Sequence, residues 1–218
     1  MDADDAAGGD TRTPRDRLEQ VLVDHDVSRF YPASYGRAIW NAVLGLRPTA
    51  MVEFGVHRGY SAIVAALAME EIGLGHLKAY DWWEDGRREG FDEERIALDH
   101  FARYGVGHRI TLREMDFYQW IGSAEACDLL YFDIDNDGDK IEAMFAGLRP
   151  QIDRGLTVLF EGGNEERDRH ESMVGRTPIR AAQELTGYRI IVDDFPSLSI
   201  ISRDHGASME GPCGRGLA

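Results

Sequence analysis

The chain has 218 residues, 43% of them hydrophobic, enough for one domain with a substantial core. Its formal net charge of −15 argues against a nucleic-acid backbone or an anionic membrane as partner, because both call for clustered positive charge. No apolar run approaches the roughly eighteen residues of a membrane span, and the acidic start Met1-Asp2-Ala3-Asp4-Asp5 is unlike a signal peptide. Cys127 abuts an apolar strand and Cys213 sits in a Gly-rich tail, so no disulfide is expected and a reducing cytoplasm is the expected setting.

Residues 1–13, rich in Asp, Ala and Gly, read as a disordered tail. Pro14 can open a helix that carries Leu18, Val21 and Leu22 on one face, and a second helix is predicted from Ser34 to Leu44. Both precede the first strand, so residues 14–49 read as a helical lid over the carboxyl edge of a sheet. Tyr31 or Tyr35 is then expected to face the site. From residue 50 apolar strands at 50–54, 76–80, 109–114, 127–133 and 156–160 alternate with helical segments. Asp92 opens one of these, and another runs from Lys140 to Leu148 and stops at Pro150. Strands alternating with helices imply an α/β, doubly wound, mostly parallel Rossmann-like sheet. After a helix from Pro178 to Leu185, the runs 188–192 and 198–202 lie too close for a crossover helix and form an antiparallel hairpin. Residues 50–203 make up the cofactor-binding domain, and 204–218 read as a C-terminal tail.

The chemistry concentrates at the strand ends. Glu53-Phe54-Gly55-Val56-His57-Arg58-Gly59-Tyr60-Ser61 leaves the first strand through two glycines and enters a helix, where a tight turn, bare backbone and free N–H groups suit a ligand. Asp81 ends the next strand about twenty residues on, where a carboxylate can accept both hydroxyls of a ribose. Trp82 and Trp83 follow, one of them beside an adenine. Asp133 ends an interior strand, and Glu161-Gly162-Gly163-Asn164 leaves the neighbouring strand at the same edge, which points to a substrate or metal loop. Asp133-Ile134-Asp135-Asn136-Asp137-Gly138 starts like a calcium loop, but its twelfth position is Met144, and Asp137 and Asp139 fit a helix start better. His57 and His170 are candidate general bases. There is no Gly-x-Ser-x-Gly elbow, Cys-x-x-Cys pair or phosphate-binding Gly-Lys-Ser/Thr loop, so hydrolase, redox and NTPase readings lack support.

Five parallel strands and a terminal hairpin carrying these motifs resemble the class I S-adenosylmethionine (SAM) methyltransferases. Glu53-Phe54-Gly55 with Gly59, Tyr60 and Ser61 resembles the family's first motif, beside the methionine part of SAM. Asp81 with Trp82 resembles the ribose acid and its neighbour. Asp116-Phe117 resembles the segment that meets the adenine, and Asp128 to Asp135 the fourth-strand motif that ends at the active site. The longer spacing between Gly55 and Gly59 is similar to a branch that methylates sugars and other natural-product hydroxyls. Some members of that branch resemble catechol-type O-methyltransferases and bind a divalent metal at the ends of strands four and five. Asp133 and Glu161 match two of those ligand places, and Asn164 comes too late for the third.

The resemblance implies a cytoplasmic enzyme that transfers a methyl group from SAM to a small molecule, most naturally to a hydroxyl. Asp133 and Asp135 are the expected catalytic carboxylates, and Mg²⁺ held by Asp133 and Glu161 is a second cofactor to be tested. A homodimer is compatible with it. Two alternatives use the same site: cyclisation of SAM with release of methylthioadenosine, and non-catalytic binding of SAM or a nucleoside. A nicotinamide dehydrogenase is disfavoured, because Gly-x-Gly-x-x-Gly is absent and the sheet ends antiparallel.

Overall fold

A computed structural model describes residues 12–28, 30–83, 90, 92–123 and 125–203. The C-terminal tail, Cys213 and the first eleven residues lie outside these. Thr13 caps the first helix, α1 (Pro14–Val21), through a reciprocal pair with Asp16. Helix α2 spans Ala33–Leu46. Then follow β1 (Ala50–Phe54), α3 (Tyr60–Ile72), β2 (His76–Asp81), α4 (Glu93–Arg103), β3 (Ile110–Glu114), α5 (Phe117–Ile121), β4 (Leu129–Phe132), α6 (Gly138–Asp153), β5 (Thr157–Glu161), α7 (Glu165–Asp168), α8 (Gln183–Thr186), β6 (Arg189–Val192) and β7 (Leu198–Ile201).

The strands form one seven-stranded sheet in the order β3-β2-β1-β4-β5-β7-β6. Strands β1 to β5 pair in parallel, and β7 enters antiparallel between β5 and β6. The expected sheet and its terminal hairpin are therefore present. Each strand sends alternate residues to opposite faces, which builds two cores. Met51 of β1 packs with α1, α2 and α3 on one face, while Val52 and Phe54 pack with α5 and α6 on the other.

Two boundaries depart from the sequence reading. Helix α6 runs through Pro150 to Asp153. The proline costs one backbone hydrogen bond, but Leu148 and Ile152 lie four apart on one face and are both buried, so core packing carries the last turn past it. The second departure concerns the N-terminal helices, which are a layer of the core and not a cover added to it. Tyr35, Ile39, Ala42 and Val43 of α2 are fully buried against α3 and the sheet. Arg17 of α1 donates to the Tyr104 carbonyl at 2.8 Å and pairs with Glu70 of α3, a second tie to the body of the fold. The link between α1 and α2 reaches the carboxyl edge of the sheet, with Val27, Phe30 and Tyr31.

Candidate active site

A cavity of about 980 Å³ opens at the carboxyl ends of β1, β2, β4 and β5. Parallel pairing explains its place, since all these strands deliver their following loops to one edge. Gly55, Asp81 and Asp116 line one end, and Asp133, Glu161 and Arg167 line the other.

The Gly loop is built for reasons that differ from the sequence argument. A Cβ on Gly55 would fall 1.6 Å from the Asp133 carbonyl oxygen, and one on Gly59 would fall 2.5 Å from the Phe101 ring. Both residues also have φ of +89°. The glycines therefore let β1 close against the end of β4 and let α3 seat against α4, so the bare backbone is needed by the protein itself. The ligand-facing feature lies one step further on. Helix α3 starts at Tyr60 with no side-chain cap among the described residues, so its first N–H groups suit an anion beside Tyr60 and Ser61, which line the cavity.

Asp81 organises this loop. Its Oδ2 accepts from the Val56 and His57 N–H groups at 2.7 and 3.1 Å, and its Oδ1 accepts from the Trp83 N–H at 2.9 Å. A carboxylate offers about four acceptor sites. Three are taken, which leaves capacity for one hydroxyl and not both. Both tryptophans line the cavity, Trp82 as an exposed ring and Trp83 from a buried position. Asp116 caps α5 by accepting from the Gln119 N–H at 3.0 Å, and Phe117 packs on Phe54 and Phe132. Glu53 is fully buried on the α3 side of β1, hydrogen-bonded to Ser61, and its Oε2 has no partner among the described residues.

Glu53 makes a pH prediction. Burial first, and then the nearby Asp133 and Asp81 charges, push its carboxyl up to about 8 against the lowering effect of the Ser61 hydrogen bond. The unfolded chain ionises it near the ordinary glutamate value, so between that value and about 8 the unfolded state holds fewer protons. Stability contributed by the neutral carboxyl is complete at low pH and is lost as pH rises through this window. Glu53→Gln is expected to gain stability over the native chain at about pH 9 by a few kcal/mol more than at about pH 5. Urea denaturation of both proteins at the two pH values measures this, and an equal difference at both would refute a neutral Glu53.

At the other end, Asp133 Oδ2 accepts from the Tyr31 and Tyr131 hydroxyls at 2.7 and 2.8 Å, and Tyr35 meets Tyr131 hydroxyl to hydroxyl at 2.8 Å. Tyr31 also lies parallel on Tyr60, with ring centroids 5.1 Å apart. Of the two candidate tyrosines, Tyr31 reaches the cavity and Tyr35 stays behind it in the core. Burial raises the Asp133 carboxyl above the usual range, although the two tyrosine donors oppose it. No described residue donates to its Oδ1. Asp135, by contrast, is exposed on the rim with φ of +60°, paired with Arg176 at 2.5 Å and with Lys140 at 3.7 Å. His57 lies against Phe30, and His170 lies against Phe195 and bonds Ser172.

Glu161 is buried, and its Oε1 accepts from Arg167 Nε at 2.6 Å. Burial, and then the Asp133 charge, raise the Glu161 carboxyl above the usual range, and the Arg167 guanidinium opposes them. The same arginine donates to Ser172 Oγ at 3.2 Å and to the Asn136 carbonyl at 3.5 Å. In the sequence Arg167 stands within the charged run Glu165-Glu166-Arg167-Asp168, which has the pattern of a solvated helix start. Two acids at neighbouring strand ends were the available signal, because a buried carboxylate pair calls for a cation.

The chain matches the model of a methyltransferase domain over residues 52–161, half of its length. It belongs to that family. The matched span runs from β1 to Glu161 and so contains every strand end that shapes the cavity. No curated protein sequence matches the chain. Among solved structures it is similar to the O-methyltransferase TomG of Streptomyces achromogenes, involved in tomaymycin synthesis and solved with SAM, at 15% identity over 85% of this chain and 89% of that one, TM-score 0.59. An O-methyltransferase from Bacillus cereus in complex with S-adenosylhomocysteine (SAH) is similar at 16% identity over 91% and 94%, TM-score 0.56. An SAH-bound methyltransferase from Podospora anserina is similar at 14% identity over 90% of each chain, TM-score 0.59. At these identities the likeness is one of fold, and the fold is that of the class I methyltransferases.

Proposed function

We propose that this methyltransferase-family chain transfers a methyl group from SAM to an oxygen of a small-molecule acceptor. One observation carries the reading: a single cavity joins Asp81, the uncapped start of α3 and Asp116 at one end to Asp133 at the other. The donor chemistry fits the cofactor. The α3 N-terminus suits the carboxylate of the methionine part, Asp81 has one acceptor site for a ribose hydroxyl, and Trp82 and Asp116 flank the place for adenine. Similarity to SAM- and SAH-bound structures supports the same assignment.

When bound, SAM supplies an electrophilic methyl carbon on a sulfonium. The chain's task is then to place an acceptor oxygen in line with that carbon and remove its proton. Tyr31 and Tyr131 hold Asp133 by Oδ2, so Oδ1 can accept the acceptor O–H. Asp133 would take the acceptor's proton through Oδ1, while the acceptor oxygen would receive the methyl carbon of bound SAM, leaving a neutral thioether. Phe30 and Tyr31, from the α1–α2 link, wall the acceptor end and exclude water.

Incubation with SAM and candidate phenols or other hydroxyl compounds tests the reaction. SAH with a methylated acceptor is expected, whereas methylthioadenosine would indicate cyclisation and unchanged SAM would indicate an effector site. Asp81→Asn is expected to weaken SAH binding by about tenfold, the value of one hydrogen bond to a charged group. Calorimetry with a parallel thermal melt checks it. Native affinity in the variant would remove Asp81 from the cofactor site.

A further inference from the structure

The geometry points to Arg167 as the resident cation of the acceptor end, in the place where catechol-type enzymes hold a divalent ion. The inference rests on the methyl-transfer reading of this cavity. Three observations support it. Glu161, a candidate ligand, is already engaged at 2.6 Å by the Arg167 guanidinium, and both side chains are 7% exposed. Asp133, the other candidate, has two tyrosine hydroxyls on one oxygen. The third ligand place is closed by construction. A Cβ at Gly162 would meet Ile179 Cδ1 at 2.4 Å, and one at Gly163 would meet Ser199 Oγ at the same distance.

Asn164, the remaining oxygen donor, is turned away. Its Oδ1 accepts from the Arg167 N–H at 2.8 Å, and its Nδ2 donates to the Asp193 carbonyl at 2.6 Å. Among the described residues no group of three His, Cys, Asp or Glu side chains could hold a metal ion. A hard divalent ion takes six or more oxygen ligands, and a fixed guanidinium beside two of them repels it. The expected Mg²⁺ site at Asp133 and Glu161 therefore does not fit these residues.

Arg167 can supply the charge itself. Its N–H groups toward Glu161, Ser172 and Asn136 use three of the five donors, and two have no partner among the described residues. Arg167 lines the cavity with Asp133, so those donors suit an acceptor oxygen that gains negative charge as its proton leaves. A guanidinium offers hydrogen bonds without open coordination positions. The site thus favours an acceptor with one ionisable oxygen, such as a monohydric phenol or an enol, over a chelating vicinal diol.

Mn²⁺ titration of the SAH-bound protein by calorimetry, with turnover measured before and after exhaustive chelation, tests this. The native chain is expected to bind SAH, take up no stoichiometric Mn²⁺ and keep its full rate after chelation. Arg167→Gln removes the charge while keeping donors in place, so it is expected to lower turnover by more than about tenfold with SAH affinity near native. Arg167→Lys keeps the charge and is expected to recover part of that rate, a recovery that a purely structural arginine would not give. Stoichiometric Mn²⁺ in the native protein with chelator-sensitive turnover would overturn the inference, as would a folded Arg167→Gln variant with native turnover. If Arg167→Gln does not fold, the native titration and chelation decide alone. Failure to bind SAH would instead refute the proposed function.

Discussion

Asp133→Asn is expected to lower turnover by about 10²–10⁴-fold, the usual worth of a positioned general base, while SAH affinity changes by less than about tenfold. The amide keeps the side-chain volume and an oxygen that can accept from Tyr31 and Tyr131, so the tyrosine cluster and the end of β4 stay in place. On the proposed mechanism, what is lost is the ability to take a proton from the acceptor. The native carboxyl is held above its ordinary range by burial, which makes it a better base than a solvated aspartate. Single-turnover assays and calorimetry separate the two effects. A variant with near-native rate constants would move the base elsewhere, with His57 and His170 on the cavity wall next in line.

Elements whose signal is local were legible in the sequence. The seven strands are legible to within one or two residues, because each is a short apolar run and most lie next to a Gly or Asp. The hairpin followed from a connection too short for a helix. The cavity's corners at Gly55, Asp81, Asp116, Asp133 and Glu161 were legible too, since parallel strands leave their functional residues at one edge.

Long-range contacts hid the rest. That Gly55 yields to the Asp133 carbonyl and Gly59 to Phe101 depends on residues more than forty positions away. That three backbone N–H groups already occupy Asp81 depends on how the Gly loop folds back on it. Arg167 sits six residues past Glu161 in a charged run that resembles any solvated helix start, and only the turn through Gly162 and Gly163 brings it back to a buried acid. The same limit explains the N-terminal helices. Their amphipathic pattern shows that they bury a face, but not which surface receives it.

That surface makes the largest stability prediction. Deleting residues 1–45 is expected to leave a chain that does not fold cooperatively. The deletion removes Leu18, Val21, Tyr35, Ile39, Trp40 and Val43, all of which are at most 3% exposed. A fully buried side chain of this size contributes about 1.5–3 kcal/mol, so the six together match or exceed the roughly 5–15 kcal/mol that separates folded from unfolded domains. The cut also bares the α3 side of the sheet, where Met51, Leu129, Tyr131, Leu159 and Ile200 would lose the layer above them, and it leaves the Tyr131 hydroxyl with Asp133 as its one partner of the pair. Replacing Phe30 alone, on the link that reaches the cavity, is the contrasting change. Phe30 is 57% exposed, so Phe30→Ala is expected to keep the native melting behaviour and act only on binding in the cavity. Near-UV circular dichroism and thermal melts of the two proteins distinguish these roles. A truncated chain that melts cooperatively near the native temperature would show that α1 and α2 are a detachable cover. The buried faces of Tyr35, Ile39 and Trp40 make the opposite result the expected one, because a sheet face this apolar does not stand open to water.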